Sequence, residues 1–360
     1  MALPLTPPVQ PMLASPAPAI PDDRGLIFEP KWDGFRCLVF ADGGQITLQS
    51  RSGRDLARYF PEVVEALGSA LPDCVLDGEL VVDIDQRLDF DALTERIHPA
   101  KSRVTLLAGQ TPARYIAFDA LAIGEESLVD EDFRTRRAAL EKLLAQHGGP
   151  RLHLTPATED PDEAREWFTV FEGAGLDGVI GKPADGRYTP NKRTLLKFKH
   201  ERTADCVVAG LRWYKDTEPG TSVGSLMLGL HDDQGRLHHV GVVGSFTAAV
   251  RRELATELAD LITDDPDHPW LTGDHENQRL PGAESRWRSG EQPWVPLRPD
   301  RVLEVRYEHT EGHAPKRFRH TARFHRWRPD RTATSCDYAQ LDEPVRYDLE
   351  AVLHGEVRAK

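Results

Sequence analysis

One lysine of this chain lies in a setting that could make its amine a nucleophile. Lys31 stands within residues 29–36 (EPKWDGFR), where proline and glycine shape the backbone around the projecting side chain. A free lysine amine has a pKa near ~10.4 and is mostly protonated at neutral pH, so nucleophilic use requires neighbouring cations or desolvation. The alternative interpretation is a solvated lysine in a turn.

Carboxylates and an arginine occur in or beside predicted strands. Asp77 and Glu79 flank a glycine within residues 76–80 (LDGEL), an apolar strand in which each carboxylate needs a cation, a hydroxyl or backbone donors. Arg51, within residues 50–53 (SRSG), carries a planar fork that suits a phosphate. A salt-bridged pair beside a turn and an ordinary surface arginine are the competing interpretations.

Two later segments place single side chains at strand ends. Phe118, within residues 115–119 (YIAFD), is an aromatic beside an acid that could stack on a base, although core packing is the competing interpretation. Residues 177–182 (DGVIGK) join Asp177 to Lys182 across a short apolar strand. This combination gains meaning only together with the other segments.

Two basic windows stand out in an acidic chain. Lys197 and Lys199 alternate within residues 195–199 (LLKFK) and share one strand face, where two like charges favour an anion between them. A solvated edge strand that discourages aggregation is the alternative. Residues 312–331 interleave aromatics with cations, as backbone-tracking nucleic-acid binding requires, although a merely solvated face remains the alternative. The cations of this second window are Lys316, Arg317, Arg319, Arg323, Arg326, Arg328 and Arg331.

The composition excludes several broad classes of protein. The formal net charge is -13, from Lys+Arg 45 and Asp+Glu 58, so any nucleic-acid surface must be local. Residues 1–21 have no positive start and no apolar run, so we expect no signal peptide, and no segment reaches the ~18 apolar residues of a membrane span. The four scattered cysteines offer neither zinc pairs nor a disulfide framework, which fits a reducing cytoplasm best.

Strand and helix patterns alternate up to about residue 201 and then become β-rich. Predicted strands cover 35–40, 45–50, 74–84, 115–123, 179–182 and 195–199, and predicted helices follow 56–67, 131–146 and 163–172. Further strands cover 206–213, 224–231, 238–243 and 302–309, with a helix at 248–262 and a surface loop over 264–299. We therefore expect domains over 1–201 and 202–331, a short hinge between them and a C-terminal extension over 332–360.

The order and spacing of these segments resemble the ATP-dependent DNA ligases of the covalent nucleotidyltransferase superfamily. Residues 31–36 (KWDGFR) are similar to the family's Lys-x-Asp-Gly-x-Arg motif, and the segments beginning at 50, 76, 115, 177 and 195 follow in the family's order. The resemblance spans nearly the whole chain. It is greatest to the short bacterial, mainly actinobacterial, ligase C group, which is related to the ligase domain of ligase D.

The resemblance implies a reaction and roles for the residues around Lys31. Lys31 would attack the α-phosphate of ATP, release pyrophosphate and carry AMP as a covalent intermediate. Glu29 would help to recognise adenine, Phe118 would stack on it, and Arg36 and Glu79 would hold the ribose. The AMP would pass to the 5′-phosphate of a nick, where the 3′-hydroxyl would displace it. Positioning and charge neutralisation at phosphorus would supply much of the rate.

Further roles follow for the phosphate and metal sites. Arg51 would contact the DNA 5′-phosphate, and Glu79 and Asp177 would lie near a divalent Mg²⁺ or Mn²⁺ ion. Asp177 stands where the family usually has glutamate, so its shorter side chain would approach the metal more closely or act through a water. Three lysines would surround the phosphates: Lys182, Lys197 and Lys199.

The resemblance extends to the second domain and to the fold class. Residues 328–331 (RPDR) are similar to the Arg-x-Asp-Lys motif that closes the ligase OB domain, so Arg328 and Arg331 are expected to bind the cofactor. Arg331 takes the usual lysine position, which keeps the charge but replaces an ammonium with a planar fork. The implied fold is α+β, an ATP-grasp-like adenylyltransferase domain followed by an OB-fold β-barrel.

The implied substrate partner is nicked double-stranded DNA, and a repair polymerase is a candidate second partner. We expect the protein to be a monomer in the cytoplasm, without membrane attachment. NAD-dependent ligases also carry a nicotinamide-binding segment before the lysine motif and a four-cysteine zinc site after the OB domain. Here only about thirty residues precede Lys31 and the cysteines lack zinc spacing, so the sequence disfavours an NAD-dependent ligase. An mRNA-capping guanylyltransferase using GTP, or an RNA ligase, remains an alternative. A non-catalytic DNA-end-binding scaffold predicts lost lysines, yet Lys31, Lys197 and Lys199 are present.

Overall fold

The computed structural model describes residues 3–22, 25–170, 174–199, 202–273, 277–282, 293–312, 315–341 and 349–353. Two compact units emerge from it: Met1–His200 with Pro344–Lys360, and Glu201–Glu343. The second unit therefore runs past residue 331, and the segment expected to be one C-terminal extension is divided between the units. Residues 200 and 201, where the short hinge is expected to begin, lie outside the described residues.

Two sheets form the framework of the first unit. The strands are β1 (Leu13–Pro16), β2 (Leu26–Pro30), β3 (Phe35–Asp42), β4 (Gln45–Ser50), β5 (Cys74–Val81), β6 (Asp83–Ile84), β7 (Arg87–Leu88), β8 (Arg114–Ile123), β9 (Glu126–Ser127), β10 (Leu152–Leu154), β11 (Val179–Pro183) and β12 (Arg193–Phe198). One sheet has the order β1-β12-β11-β2, and the other has the order β10-β8-β5-β3-β4 with β9 beside β8. The small β6–β7 hairpin stands apart from both.

Helices pack on both sheets of the first unit. They are α1 (Pro61–Ala70), α2 (Phe90–Glu95), α3 (Lys101–Gln110), α4 (Phe133–His147) and α5 (Pro161–Val170). Helix α5 packs on β2 and β11 of the smaller sheet. Proline at the first position of α1 is compatible with a helix start because the missing amide would have had no helical partner. Asp132 caps α4 by accepting a hydrogen bond from the Thr135 amide at 2.7 Å. The predicted helices 131–146 and 163–172 are found as α4 and α5, with ends shifted by one to two residues.

Period-two alternation along β3 and β5 assigns their side chains to two faces. Cys37 and Leu76 pack with α1 and α4, whereas Leu38 and Val75 pack with side chains from the four-stranded sheet. Strands β3 and β5 are antiparallel, with Arg36 opposite Glu79. Polar residues in phase with Leu38 and Val75 therefore lie on the face toward the smaller sheet, between the two sheets.

The second unit is built on a five-stranded antiparallel sheet. Its elements are β13 (Arg202–Trp213), β14 (Val223–His231), β15 (Leu237–Val243), α6 (Ala248–Glu257), β16 (Val295–Tyr307), β17 (Thr310–Glu311), β18 (Arg317–Phe318) and β19 (Arg323–Trp327). The order is β15-β14-β13-β16-β19. The amide of Ala322, just before β19, donates to the Val242 carbonyl of β15 at 2.9 Å, so the two ends of the sheet meet as in a small barrel.

Two predicted boundaries in the second unit were wrong. Strand β16 begins at Val295, inside the predicted loop, because Val295 pairs with Leu211 of β13. Prolines at 296 and 299 explain why the sequence did not predict the first part of this strand, since proline argues against a strand assignment. The predicted helix 248–262 ends at Glu257, and a 3-10 turn (Ala259–Leu261) follows.

A last short helix, α7 (Leu349–Leu353), returns to the core of the first unit. Leu349 and Val352 are buried there with Trp32 and Val81. No helix in the described parts of the chain is long and apolar enough to cross a membrane.

All four cysteines are unpaired and buried, two in each unit. Burial raises the pKa of the Cys74 thiol to about 12. It also raises the pKa of Cys336 to about 11, although Arg331 opposes the change. The pKa values of Cys37 and Cys206 are likewise raised, chiefly by burial.

Candidate active site

The backbone holds Lys31 on both sides. Its amide donates to the Gly178 carbonyl at 2.9 Å, and its carbonyl accepts from the Asp177 amide at 2.9 Å. Gly178 has a φ of +123°, and a side chain there would collide with the Phe198 carbonyl. Only glycine therefore permits this approach. The next residue, Trp32, is buried and donates from its indole to Thr155 at 2.9 Å, which anchors the loop that carries the lysine.

Asp177 joins two lysine side chains. Its Oδ2 atom contacts Nζ of Lys31 and lies 2.8 Å from Nζ of Lys199. The Asp177 side chain is only 4% exposed, whereas that of Lys31 is 20% exposed. The predicted nucleophile is thus accessible and has a basic neighbour, and the acid between the two lysines is buried.

A buried ion pair joins β2 and β11. Lys182 Nζ is 2.7 Å from Glu29 Oε2 and donates to the Phe118 carbonyl at 2.9 Å. Arg137 also reaches Glu29, at 3.3 Å. Burial raises the pKa of Glu29 and lowers the pKa of Lys182, and in each case the charge of the partner opposes the shift.

Phe118 occupies a bulge in β8. Asp77 of β5 pairs with Asp119 and Gly78 pairs with Ala117, which leaves Phe118 as an extra residue in the ladder. Two cations approach its ring: the Arg36 guanidinium lies 4.3 Å and the Lys182 ammonium 4.5 Å from the ring centroid. The ring is therefore part of a charged wall rather than of a purely apolar core.

Arg36 is fixed by a two-pronged ion pair. Its Nε and Nη2 atoms donate to Asp77 at 2.6 and 2.7 Å. The sequence predicted that Asp77 needs a cation, a hydroxyl or backbone donors as partners. Arg36 is the cation, and the Tyr188 hydroxyl, with Oη 2.6 Å from Asp77 Oδ2, is the second partner. Glu79 differs: burial raises its pKa to about 8, although the charges of Arg36 and Lys31 lower it.

These side chains line one cavity of about 430 Å³ within the first unit. The predicted site residues on its wall are Glu29, Lys31, Arg36, Arg51, Glu79, Phe118, Lys182, Lys197 and Lys199. Asp177 joins them through its contacts with Lys31 and Lys199. A concave space with convergent cations and a few carboxylates has the chemistry of a nucleotide site.

The sequence did not reveal part of this wall. Pro11, Met12, Leu13 and Ala14 line the cavity together with Arg193. The N-terminal residues reach it because β1 runs parallel to β12, with Pro16 opposite Lys197. A proline-rich segment with a four-residue strand gives almost no local signal, and its place depends on a partner far along the chain.

The carboxylates expected at a metal are few. Among the described residues, no group of three or more His, Cys, Asp and Glu side chains is arranged to hold an ion. Glu79 lies on the cavity wall, and Asp177 contacts two lysines that also line it. One or two carboxylates are enough for Mg²⁺ when substrate phosphates complete its shell, so these residues fit such an ion.

Arg328 and Arg331 belong to the second unit and have partners there. Arg328 Nη1 lies 3.1 Å from both carboxylate oxygens of Asp205, and its Nη2 lies 2.8 Å from Asp330. The hydrogen bond to Asp330 is the main cause of a raised Arg328 pKa. Arg331 donates to the Ser335 side chain and carbonyl at 3.1 and 2.9 Å.

The second basic window surrounds strand β19. The Arg323 and Arg326 side chains are 71% and 61% exposed. Phe324 and Trp327 meet edge to face, with ring centroids 5.4 Å apart. Residues 313 and 314 of this window lie outside the described residues. Both rings are half-buried and pack against the core of the second unit, whereas Arg323 and Arg326 point to solvent.

Comparisons with known proteins agree with this geometry. Residues 11–199 match the family of the ATP dependent DNA ligase domain, and residues 219–331 match that of the ATP dependent DNA ligase C terminal region. The chain is 54% identical over 351 residues to DNA ligase C2 of Mycolicibacterium smegmatis, covering 96% of this chain and 97% of the relative. It is 51% identical over 363 residues to DNA ligase C of Mycobacterium tuberculosis, covering 99% of each.

A solved structure supports the fold. A Lig E DNA ligase aligns with a TM-score of 0.53 at 17% identity, covering 89% of this chain and 99% of that one. The predicted α+β class, a nucleotidyltransferase domain followed by an OB-fold domain, is confirmed. The chain belongs to the family of ATP-dependent DNA ligases, as the order of its motifs predicted.

Proposed function

We propose that the cavity of the first unit binds ATP and that Lys31 attacks the α-phosphate. A nitrogen–phosphorus bond forms, the bond to the β-phosphate oxygen breaks, and pyrophosphate leaves. The amine must give up a proton for this, and the Asp177 carboxylate in contact with it can accept one. The AMP then passes to the 5′-phosphate of a DNA nick, and the 3′-hydroxyl displaces it.

The convergence of the predicted residues on one cavity carries this proposal. Nine of the twelve line it, although they come from segments between residues 29 and 199. A structural role for each residue would not require them to share a wall. The partly exposed Lys31 side chain shares this wall with lysines that can hold phosphates, which suits an attack on phosphorus.

The adenine end of the cavity is assigned by hydrogen-bond capacity and aromatic character. Glu29 is a buried acceptor that suits an exocyclic amine, and the Phe118 ring offers a stacking surface. Arg36 and Glu79 are adjacent across β3 and β5 and would hold the ribose hydroxyls. Lys182, Lys197 and Lys199 would face the phosphates, and Arg51 would face the 5′-phosphate of DNA.

We assign a divalent Mg²⁺ or Mn²⁺ ion to Glu79 and Asp177, with ATP phosphates completing its shell. Such an ion supplies charge neutralisation at phosphorus. The protein's own contribution is to orient the carboxylates: β5 fixes Glu79, and the Asp177 amide bonded to the Lys31 carbonyl fixes the acid beside the nucleophile.

Nicked double-stranded DNA is the proposed substrate, with the basic face around β19 as one of its contacts. Arg328 and Arg331 are proposed to orient the pyrophosphate. We place the reaction in DNA repair in the cytoplasm, with the protein as a monomer and a repair polymerase as its partner. A monomer is testable by light scattering, and the polymerase by co-purification.

Intact mass after incubation with ATP and Mg²⁺ tests the first step. Pre-bound AMP is first removed with pyrophosphate. The wild type should gain one AMP, Lys31→Ala should gain none, and Lys142→Ala, which removes an exposed lysine of α4, should behave like the wild type. Nick sealing would then be assayed on a labelled duplex.

The same measurement separates the alternatives. An adduct formed only from GTP would assign the chain to capping-type chemistry. No adduct from ATP, GTP or NAD would favour a non-catalytic DNA-end-binding scaffold. An adduct that persists in Lys31→Ala would show that another residue is the nucleophile.

A further inference from the structure

A chain of hydrogen bonds connects the N-terminal segment to Arg36. Tyr188 Oη lies 2.6 Å from Asp77 Oδ2, and Asp77 holds the Arg36 fork at 2.6 and 2.7 Å. The backbone amide of Met12 lies 3.3 Å from the same Tyr188 hydroxyl. Three segments far apart in sequence, around residues 12, 77 and 188, therefore meet at one oxygen atom.

Elementary chemistry fixes the direction of these bonds. A backbone amide can only donate, so the Tyr188 oxygen accepts from Met12. The hydroxyl proton is then available to Asp77, whose carboxylate can only accept. Oδ2 of Asp77 receives both this proton and one from Nη2 of Arg36. The tyrosine and the arginine thus act on the same carboxylate oxygen.

Tyr188 is well suited to hold that oxygen in place. The residue is 4% exposed and packs with Leu38 and Leu195 between the two sheets. Its own amide donates to the Val129 carbonyl at 3.0 Å. Arg136 lies 5.7 Å from the ring centroid and limits its movement further. The hydroxyl is therefore presented from a fixed ring.

We infer that Tyr188 is a positioning residue for nucleotide binding, which it serves by fixing the Arg36 fork beside Phe118 through Asp77. This inference rests on the proposed function, since it requires the cavity to bind ATP. A planar guanidinium recognises a ligand well only when its plane is fixed beforehand. Loss of the hydroxyl would leave Asp77 and Arg36 together but free to shift as a pair, and the geometry around Lys31 would remain.

Tyr188→Phe, which keeps the ring and removes one oxygen, tests the inference. The rate of Lys31–AMP formation is measured in single turnover over a range of ATP concentrations. The half-saturating ATP concentration should rise about three- to tenfold, the range expected for one hydrogen bond. The maximal rate should stay within about twofold, because the attacking amine and its neighbours are untouched.

Tyr115→Phe is the matched control. Tyr115 is likewise a buried tyrosine of the first unit, but its hydroxyl donates to the Cys37 carbonyl at 3.1 Å rather than to Asp77. The half-saturating ATP concentration of Tyr115→Phe should equal that of the wild type. In an Arg36→Lys background, which has no fork to position, Tyr188→Phe should add little further change.

Several outcomes would overturn the inference. One is an unchanged half-saturating concentration in Tyr188→Phe, and another is an equal rise in the Arg36→Lys background. A lower thermal midpoint and lower maximal rate with unchanged half-saturation would also overturn it, since that pattern marks a purely structural role. A wild type that forms no adduct would overturn the proposed function itself, so the two failures are distinguishable.

Discussion

The buried charges of the cavity occur as pairs of opposite sign. Glu29 faces Lys182 at 2.7 Å, and Asp77 faces Arg36 at 2.6 Å. Pairing limits the desolvation cost that isolated buried charges would impose. Glu79 differs because it retains its proton to a higher pH than an ordinary glutamate. Burial outweighs the attraction of its carboxylate to the nearby cations and raises its pKa to about 8.

This shift predicts a pH dependence of stability. In the unfolded chain Glu79 loses its proton near the ordinary glutamate pKa of 4.5, whereas the folded protein retains it until about 8. The folded state therefore binds the extra proton between these values, so the stability from Glu79 is full below pH 4.5 and declines up to about pH 8. The decline is at most about 1.4 kcal/mol per pH unit.

The measurement compares wild type with Glu79→Gln, which does not titrate. Free energies of unfolding are determined in chelator without ATP from about pH 5 to about pH 9, a range that spans the titration of the folded state. The wild type should lose stability relative to the variant as the pH rises, with the difference levelling off above about pH 8. Parallel curves for the two proteins would contradict the raised pKa.

Sequence motifs located the individual residues better than their mutual contacts. Lys31, Arg36 and Glu79 could be found because motif order fixes them. The link from Tyr188 to Asp77 could not, since it joins positions 111 residues apart and follows no short-range spacing. Asp77 alone indicated a need for a cation or a hydroxyl, but the sequence could not say which residues provide them.

At the level of elements, local composition predicted the strands that are bounded by turn residues. The β3–β4 hairpin was found because two runs rich in β-branched and aromatic residues flank a glycine turn, and β8 was found as a short, mostly apolar run. Strands β1 and β16 were missed or shortened, because prolines interrupt them and each is defined by a distant partner. Their pairing is a tertiary property.

The pairing of β2 with β11 predicts a specific energetic coupling. Glu29 and Lys182 lie on these two strands and form a buried ion pair. Lys182→Met should destabilise the protein by about 3 kcal/mol, because the buried Glu29 carboxylate loses one of its two cationic partners among the described residues and keeps Arg137. Adding Glu29→Gln should recover part of this loss, although ATP binding should remain impaired.

Urea unfolding of the two single variants and the double variant checks this coupling. Glu141→Gln, which alters an exposed acid of α4 paired with Arg137, is the control and should change stability by less than about 1 kcal/mol. Additive losses in the double variant would show that the pair has no coupling and that the assignment is wrong.

At the scale of the whole molecule, the charge is divided between an acidic total and local basic faces. The net charge of -13 disfavours general attraction to DNA, so affinity must come from the few sites where cations cluster. The face around β19 is such a site, with Arg323 71% exposed. Because the salt dependence of affinity steepens with each phosphate that is neutralised, binding through few contacts should depend only moderately on salt.

Arg323→Ala tests whether this face meets the phosphate backbone. Affinity for nicked duplex should fall, and the slope of log affinity against log salt should become shallower by about 0.9 if one phosphate contact is lost. Arg252→Ala, on the exposed side of α6, is the control and should leave the slope unchanged. Equal slopes for all three proteins would place the DNA elsewhere.

The buried thiols have a chemical consequence for such a protein. Oxidation of cysteine begins at an accessible thiolate, and all four thiols here are both covered and protonated at neutral pH. Peroxide, which breaks DNA strands, thus meets no reactive sulfur of cysteine in the folded chain. The four thiols of a protein that joins broken strands are therefore expected to stay reduced in the presence of the oxidant that breaks them.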